Sequence, residues 1–504
     1  MIPVNAMKRI LMLIFIILTG LNLYLLTTYV RLNDIFFISD IARDMYLLDE
    51  IREKALILIG PRSSVPGLFH GPLWAYLTYP GFILGNGNPV AVGWYWIFLI
   101  ILFLISNFFI TRKLFGLAAA YAYTLVVSTY FIFHAHELFN PYGALFFIPL
   151  FYYLFIRYIE TGRVKFLIWH FFVAGLLIQF QMAVGAPFAI LSFIAAFFLA
   201  LRSKKPLHLL SFGIILIPLS TFVLFDLRHD FLLTKNVLRH LSSSDHASFL
   251  SVFIDRLRNI SGGVEFIIGR DFRYQMFFTG FTVIFSLIQI KNKVNRTAYL
   301  VFLYFFIGFF ILSMINRYNL LTFYIFPIYS LVFLAFSSFA SSRYRYIFLI
   351  FFLVFYSLNL GKAFEFTANA PAEAAGSKFH WKSLYETAKT VFRGNETTLG
   401  YFVYAPDIMG YGPRYALDYA RKFTPKKVLP FSKQPVTYLI LEPDYKGNIY
   451  TSGSIFRLYQ IHIYKKPLES KTFKNGYTVE KYQLTDAEMA LPFDPGINPG
   501  LHYR

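Results

Sequence analysis

The sequence contains no cysteine, which excludes disulfides, thiolate metal sites and cysteine nucleophiles while leaving the compartment open. Charge is scarce too. Only 15% of the 504 residues are charged, against about 25% in a soluble domain. The chain has no Gly-rich phosphate loop, no metalloprotease His-Glu signature, no internal repeat and no low-complexity tract. What it has in excess is aromatic residues, with 61 Phe and 36 Tyr in a hydrophobic fraction of 57%. A water-soluble core has no use for so much apolar surface, whereas lipid solvates it. The net charge of +20 does not mark a nucleic-acid binder, because Lys and Arg fall in short clusters between apolar runs and not along one face. Clusters of that kind orient membrane helices.

The first apolar run, Ile10 to Val30, is long enough to cross the hydrocarbon core. It lacks a small-residue cleavage site, so we read it as an uncleaved anchor. A mixed stretch, 31–89, follows, and apolar runs then recur at about 91–111, 114–133, 141–157, 166–181, 183–201, 207–225, 273–290, 297–315, 319–339 and 347–361. About eleven spans are therefore expected. With the N-terminus cytoplasmic, the inner connections hold Lys8 and Arg9, Arg112 and Lys113, Arg157, Arg163 and Lys165, and Arg202, Lys204 and Lys205. Lys291, Lys293, Arg296, Arg343 and Arg345 continue the series, while the short outer connections hold almost no basic residue except Arg317. This alternation is the positive-inside signature. It places the loops 31–89 and 226–272, and everything after residue 361, on the outer side.

Residues 362–504 have no spanning run and alternate apolar with polar stretches. Helices are expected at Trp381 to Arg393 and Tyr411 to Phe423, and strands at Leu399 to Tyr404, Val436 to Leu441, Phe456 to Tyr464 and Tyr477 to Gln483. The expected fold is thus mainly α, a polytopic membrane domain over 1–361 followed by a soluble, extracytoplasmic α/β domain over 362–504.

The first outer loop holds the densest pattern. Ser39 is placed to cap a helix running to Lys54. Ile41, Met45, Leu48, Ile51 and Ala55 form its apolar stripe, with Asp40, Arg43, Asp44 and Glu50 away from it, so the helix is expected to lie on the membrane surface. Asp40, Arg43 and Asp44 are three and four residues apart and can meet. An acidic residue at a helix N-terminus is also favourable for the macrodipole alone. Gly60-Pro61-Arg62 and His70-Gly71-Pro72 read as turns returning to the bilayer.

The Asp-x-x-Arg-Asp element, then Gly-Pro-Arg-Ser-Ser, then Phe-His-Gly-Pro-Leu-Trp-Ala-Tyr-Leu, resembles the first outer loop of GT-C glycosyltransferases. The branch near the protein O-mannosyltransferases and lipid A aminoarabinose transferases is most similar. The likeness covers the loop and the many-span layout with its trailing outer domain. It implies a catalytic acidic residue at Asp40. Relatives often carry Asp-Glu here, whereas this chain has Asp40-Ile41, so a second carboxylate must come from elsewhere. Some relatives place a metal-binding Glu where this chain has His70, which leaves a divalent metal open, with His70 its weak ligand candidate, and no certain cofactor.

Further candidates stand at other outer helix ends. His136, Glu137 and Asn140 lie in the second outer connection, with Glu137 the candidate second carboxylate. His134, His136 and Glu137 do not share one helix face, which disfavours a metal there. An interhelical hydrogen bond accounts for Gln179 and Gln181, with Gln181 also a candidate for the cavity lining. Arg228, after Phe225-Asp226-Leu227, suits a lipid-linked phosphate, as do Arg43 and Arg317, because a guanidinium grips phosphate oxygens in a fork. A snorkelling arginine explains Arg228 without a ligand. Asp44, Arg62, His70 and Tyr324 complete the expected substrate cavity. The implied reaction is inverting transfer of a sugar from a polyprenyl-phosphate donor to an extracytoplasmic hydroxyl at the cell membrane. The rival readings are a transporter or flippase of a lipid-linked solute, which calls for paired repeats and mid-membrane charges, and a membrane sensor or scaffold.

Overall fold

The computed structural model describes residues 4–63, 67–242, 248–262, 272–291, 295–315, 321–407, 409–443 and 453–497. Among them, nine helices are long and apolar enough to cross a membrane, and two shorter apolar helices, Val164–Phe180 and Met276–Lys291, bring the set to eleven. Each coincides with one of the apolar runs read from the sequence. Their burial sorts them into two classes. Leu117–His134 and Thr322–Ser341 are 78% buried and form the centre of the bundle, whereas Arg9–Leu26 is 17% buried and Pro206–Arg228 only 11%. The outer class exposes Ile16, Ile17, Leu210 and Leu216, as a lipid-facing surface should.

Several polar groups inside the bundle are paired across helices, since lipid offers no partners of its own. Asn22 donates to Ser128 Oγ at 2.9 Å and Thr129 Oγ1 at 3.0 Å, and accepts from Tyr356 Oη at 3.1 Å. One side chain thereby ties the first, third and last spans together. Close packing has the same effect where Val164–Phe180 meets Met182–Arg202. A Cβ on Gly185 would stand 2.3 Å from Ile178 N. Because that obstacle is backbone, no rotamer change relieves it. Gly185→Ala is expected to destabilise the protein by about 1–3 kcal/mol, visible as a lowered melting temperature in detergent; an unchanged melting point would show that the two helices can separate freely.

The first loop builds the platform for the outer domain. Helix Ser39–Lys54 is followed by an extended hairpin in which Gly60 N donates to His70 O and His70 N donates to Pro61 O, both at 2.8 Å. Helix Leu73–Leu84 then returns toward the spans. The hairpin presses so closely on the bundle that a Cβ at Gly71 would lie 1.8 Å from Gln179 Oε1. Only glycine fits there.

The helix Arg345–Gly376 runs unbroken out of the membrane domain, so residue 362 lies in mid-helix and the chain enters the outer domain after Gly376. That domain has strands β1 (Thr398–Tyr404), β2 (Lys427–Pro430), β3 (Val436–Leu441), β4 (Glu469–Thr472) and β5 (Thr478–Gln483), in the order β2-β1-β3-β5-β4. β1 pairs in parallel with β2 and β3, while β5 runs antiparallel to β3 and β4. Parallel pairing requires crossovers, and helix Tyr411–Arg421 supplies the one between β1 and β2. The strand expected at Phe456 to Tyr464 is instead a widened helical turn, Phe456–Ile461. Phe456 and Ile461, five residues apart, are both buried against Phe402, Leu439 and Tyr482. A five-residue repeat fits that turn, and the apparent alternation was misleading.

Candidate functional site

The polar face of helix Ser39–Lys54 is not left wholly to water. Ile41, Ala42 and Leu47 are fully buried, and Asp44 and Glu50 are buried too. The outer-domain helix Tyr411–Arg421 packs on it from one side and Leu73–Leu84 from the other. Nor does Ser39 cap it. Ile38 holds the N-cap position without a side-chain bond, and Ser39 Oγ donates to Asp407 Oδ2 of the outer domain instead.

Within the first turns Arg43 bridges two carboxylates. Its Nη1 donates to Asp40 Oδ1 at 2.8 Å, and its Nη2 donates to Asp44 Oδ1 at 3.0 Å. The side chains of Arg43 and Asp44 are 12% and 10% exposed, that of Asp40 52%. Asp40 is therefore the open member of the trio. Burial lifts the Asp44 carboxyl from its ordinary 3.8 to about 7, against the pull of Arg43 and with a push from Asp40. A carboxyl with a raised folded-state pKa binds more protons folded than unfolded, so its stabilising share is complete below the ordinary value and is lost as pH rises through about 7. The melting temperature should thus fall as pH rises from the ordinary 3.8 to about 7, and Asp44→Asn should flatten the fall. An identical slope in the variant would show that Asp44 is not its source.

Arg43 also reaches the hairpin, with Nη1 3.5 Å from Arg62 O. Its charge helps hold His70 neutral: burial first, and then Arg43, push that imidazole down to about 4. His70 Nδ1 is buried without a hydrogen-bond partner, and its ring meets Tyr324 edge-on at 6.3 Å. Asp40, Arg43, Asp44, Arg62, His70 and Tyr324 therefore form one continuous cluster. A divalent metal does not suit it. The charge nearest His70 is a cation, and among the described residues no group of three His, Cys, Asp or Glu could hold an ion.

Glu137 accepts from Tyr142 Oη and pairs with His134 Nδ1 at 3.0 Å. Burial pushes its carboxyl up, but the two histidines and Tyr142 outweigh that and leave it below the usual range. Glu137 bonds to His134 and Tyr142, whereas the carboxylate that shares Arg43 with Asp40 is Asp44. His136 is packed among aromatic rings. Its ring stacks on Tyr29 at 4.2 Å and its carbonyl accepts from Phe36 N, while burial pushes the imidazole down to about 3. Asn140 Nδ2 donates to Phe180 O, and Gln181 Oε1 accepts from Ala183 N at 3.3 Å, leaving Gln181 Nε2 buried without a partner. Gln179 takes the interhelical role, donating to Pro218 O and Thr221 Oγ1. Arg317 lies outside the described residues.

Arg228 ends the helix Leu216–Arg228 and, with Lys54 and His229, rims an apolar pocket of about 450 Å³ floored by Ile57, Ile59, Phe69 and Phe225. Phe69 and His70 are neighbours on an extended strand, so their side chains point to opposite faces. The pocket therefore backs onto the Asp40 cluster through the hairpin. Asp226 next to it is structural, accepting from Leu233 N at 2.7 Å and Thr234 N at 3.1 Å.

Residues of the outer domain also enter the cluster and were not anticipated. Tyr411, buried, feels Arg62, Arg43, Arg414 and Asp407, although burial dominates and raises its phenol. The one available sequence signal was Asp407 three residues before Gly410, a turn pattern leading into a helix.

No family model matches the sequence, and no characterised protein matches it either. Solved structures do. ArnT from Cupriavidus metallidurans bound to undecaprenyl phosphate superposes with a TM-score of 0.57 at 12% identity, covering 97% of this chain and all of that one. Its apo state gives 0.58 at 11% identity, covering 96% of this chain and 99% of that one. A looser likeness, TM-score 0.45 at 12% identity, is to the Archaeoglobus fulgidus oligosaccharyltransferase crystallised with Zn and sulfate, covering 82% of this chain and 62% of that one. The chain has the GT-C-like fold.

Proposed function

We propose that this protein is a glycosyltransferase moving a sugar from a polyprenyl-phosphate donor to a hydroxyl acceptor at the outer membrane face. The observation that carries the reading is the Asp40–Arg43–Asp44 trio. Its buried guanidinium and one open carboxylate sit where the membrane domain meets the outer domain, in a fold shared along its whole length with a protein crystallised with undecaprenyl phosphate.

The proposed step is a single displacement. Asp40 takes the proton of the acceptor hydroxyl, the acceptor oxygen bonds to the anomeric carbon, and the bond from that carbon to the phosphate oxygen breaks. The electron pair leaves on the polyprenyl phosphate, and the anomeric centre inverts. Arg43 faces the charge developing on that phosphate, and His70, held neutral, can donate or accept a hydrogen bond without adding charge. The apolar pocket under Arg228 and Lys54 suits the carrier's first isoprene units, with the basic rim drawing its phosphate toward the hairpin. Asn140, Gln181 and Tyr324 remain proposed sugar contacts, Arg317 a proposed second phosphate contact, and Glu137 a proposed support for the inner wall. The basic inner connections support an N-terminus in the cytoplasm and an extracytoplasmic outer domain.

The test is transfer in proteoliposomes from a radiolabelled polyprenyl-phosphate sugar to a water-soluble acceptor set. Label should move to product only with the protein present, and release free polyprenyl phosphate in equal amount. Unchanged donor across a panel of hexoses and pentoses would overturn the proposal.

A further inference from the structure

We infer that the outer domain is a fixed wall of the catalytic chamber, in which Tyr411 and Asp407 are positioning residues for Arg43 and the first turn of helix Ser39–Lys54. This rests on the proposed role of Asp40 and Arg43. The contacts tie this domain to the membrane domain at several separated points.

The first set of contacts lies at the chemistry itself. Asp407 spends one carboxylate oxygen on Ser39 Oγ and the other on Gly410 N at 2.8 Å. Gly410 has φ +53, a left-handed conformation that turns the chain sharply into helix Tyr411–Arg421. One carboxylate thus fixes both the residue preceding Asp40 and the turn that delivers Tyr411. Tyr411 in turn stands within the field of Arg43 and Arg62, on the outer-domain side of the same guanidinium that holds Asp40 and Asp44. Without this wall Arg43 would face water, and its grip on either carboxylate would weaken to that of a surface pair.

The second set lies further along the same helices. Tyr46 Oη donates to Asp418 Oδ2 at 2.8 Å, and Tyr415 Oη donates to Gly87 O at 2.7 Å. The third is at the domain's root, where Phe37 N donates to Phe379 O at 2.7 Å and Trp381 N donates to Ile35 O at 3.0 Å. Three separated polar attachments define a rigid placement. A hinge about any one would break hydrogen bonds at the other two. The exposed side of Asp40 then lies beside this wall, so the acceptor meets Asp40 next to Asp407 and does not first bind a mobile domain.

The experiment uses the full chain in proteoliposomes with a polyprenyl-phosphate sugar as the probe. Tyr411→Phe and Asp407→Asn should each lower kcat by about 10- to 100-fold, the scale of a small misplacement of reacting groups, with the donor KM within about twofold. The melting temperature of Tyr411→Phe should match wild type, and Asp407→Glu should recover part of the lost rate. Wild-type kcat in both Tyr411→Phe and Asp407→Asn, beside an inactive Asp40→Asn, would overturn the inference while leaving the proposed function intact. A fully active Asp40→Asn would instead remove the function on which it rests.

Discussion

Asp40→Asn lowers the rate of sugar transfer by about 10²- to 10⁴-fold, the loss expected when a positioned general base is removed. The substitution is close to isosteric. The amide oxygen still accepts from Arg43 Nη1, so the 2.8 Å contact survives and the helix turn keeps its shape. What disappears is the ability to take a proton from the acceptor. The donor KM should therefore stay near wild type while kcat falls, the pattern of an interaction made only in the transition state. Stability should change little, because the Asp40 side chain is 52% exposed and pairs of that exposure contribute about 0–1 kcal/mol. Arg43→Lys provides the internal comparison. A lysine ammonium cannot serve both carboxylates with the geometry of a planar fork, so it should also raise the donor KM, which Asp40→Asn should not. Transfer at wild-type rate by Asp40→Asn would sink the assignment of Asp40.

The parts of this molecule legible in its sequence are those on which the solvent acts alone. A run of eighteen or so apolar residues has one stable answer in a bilayer, a helix, and every run from Ile10 onward obeyed it. The inner strands β1 and β3 were legible for the same reason, being continuous apolar runs buried on both faces. Judgement failed where a second element decided the outcome. Ser39 has a good capping side chain, but Asp407, far along the chain, takes its hydroxyl. Asp44 and Glu50 read as solvated because nothing nearby in sequence announces that tertiary packing will bury them. The segment Phe456–Ile461 alternates like a strand, yet the shape of the core under it selects a widened helical turn. The site shows the same division. Asp40, Arg43 and Asp44 were legible because helix spacing forces them together, whereas Tyr411 and Asp407 join through tertiary contact alone. Arg228 and Glu137 stood out in the sequence as polar groups at helix ends, but residue type and depth could not say which cavity each one serves.

Asp34→Ala is expected to undock the root of the outer domain. Asp34 is fully buried and accepts from His380 Nδ1 at 2.6 Å and from Lys382 N at 2.8 Å. It stands at the start of the first loop and grips the start of the outer domain, next to the backbone pairs that join Phe37 to Phe379 and Ile35 to Trp381. Truncation leaves a buried imidazole and a backbone amide without acceptors, and breaking a buried pair by removing one partner costs about 3–5 kcal/mol. The neighbouring aromatic stack does not replace the lost acceptor. Tyr29 lies 5.3 Å from the His380 ring and spends its hydroxyl on Glu373. The loss should therefore appear locally before it appears globally, as faster proteolysis in the stretch Ser377 to His380 and a lowered melting temperature in detergent. Transfer should fall with it, because a wall free at its root no longer fixes Arg43. Asp34→Asn, which keeps an oxygen for the Lys382 amide, should fall between wild type and Asp34→Ala. Equal protease resistance in all three proteins would mean that the attachments through Tyr46 and Tyr415 hold the domain unaided.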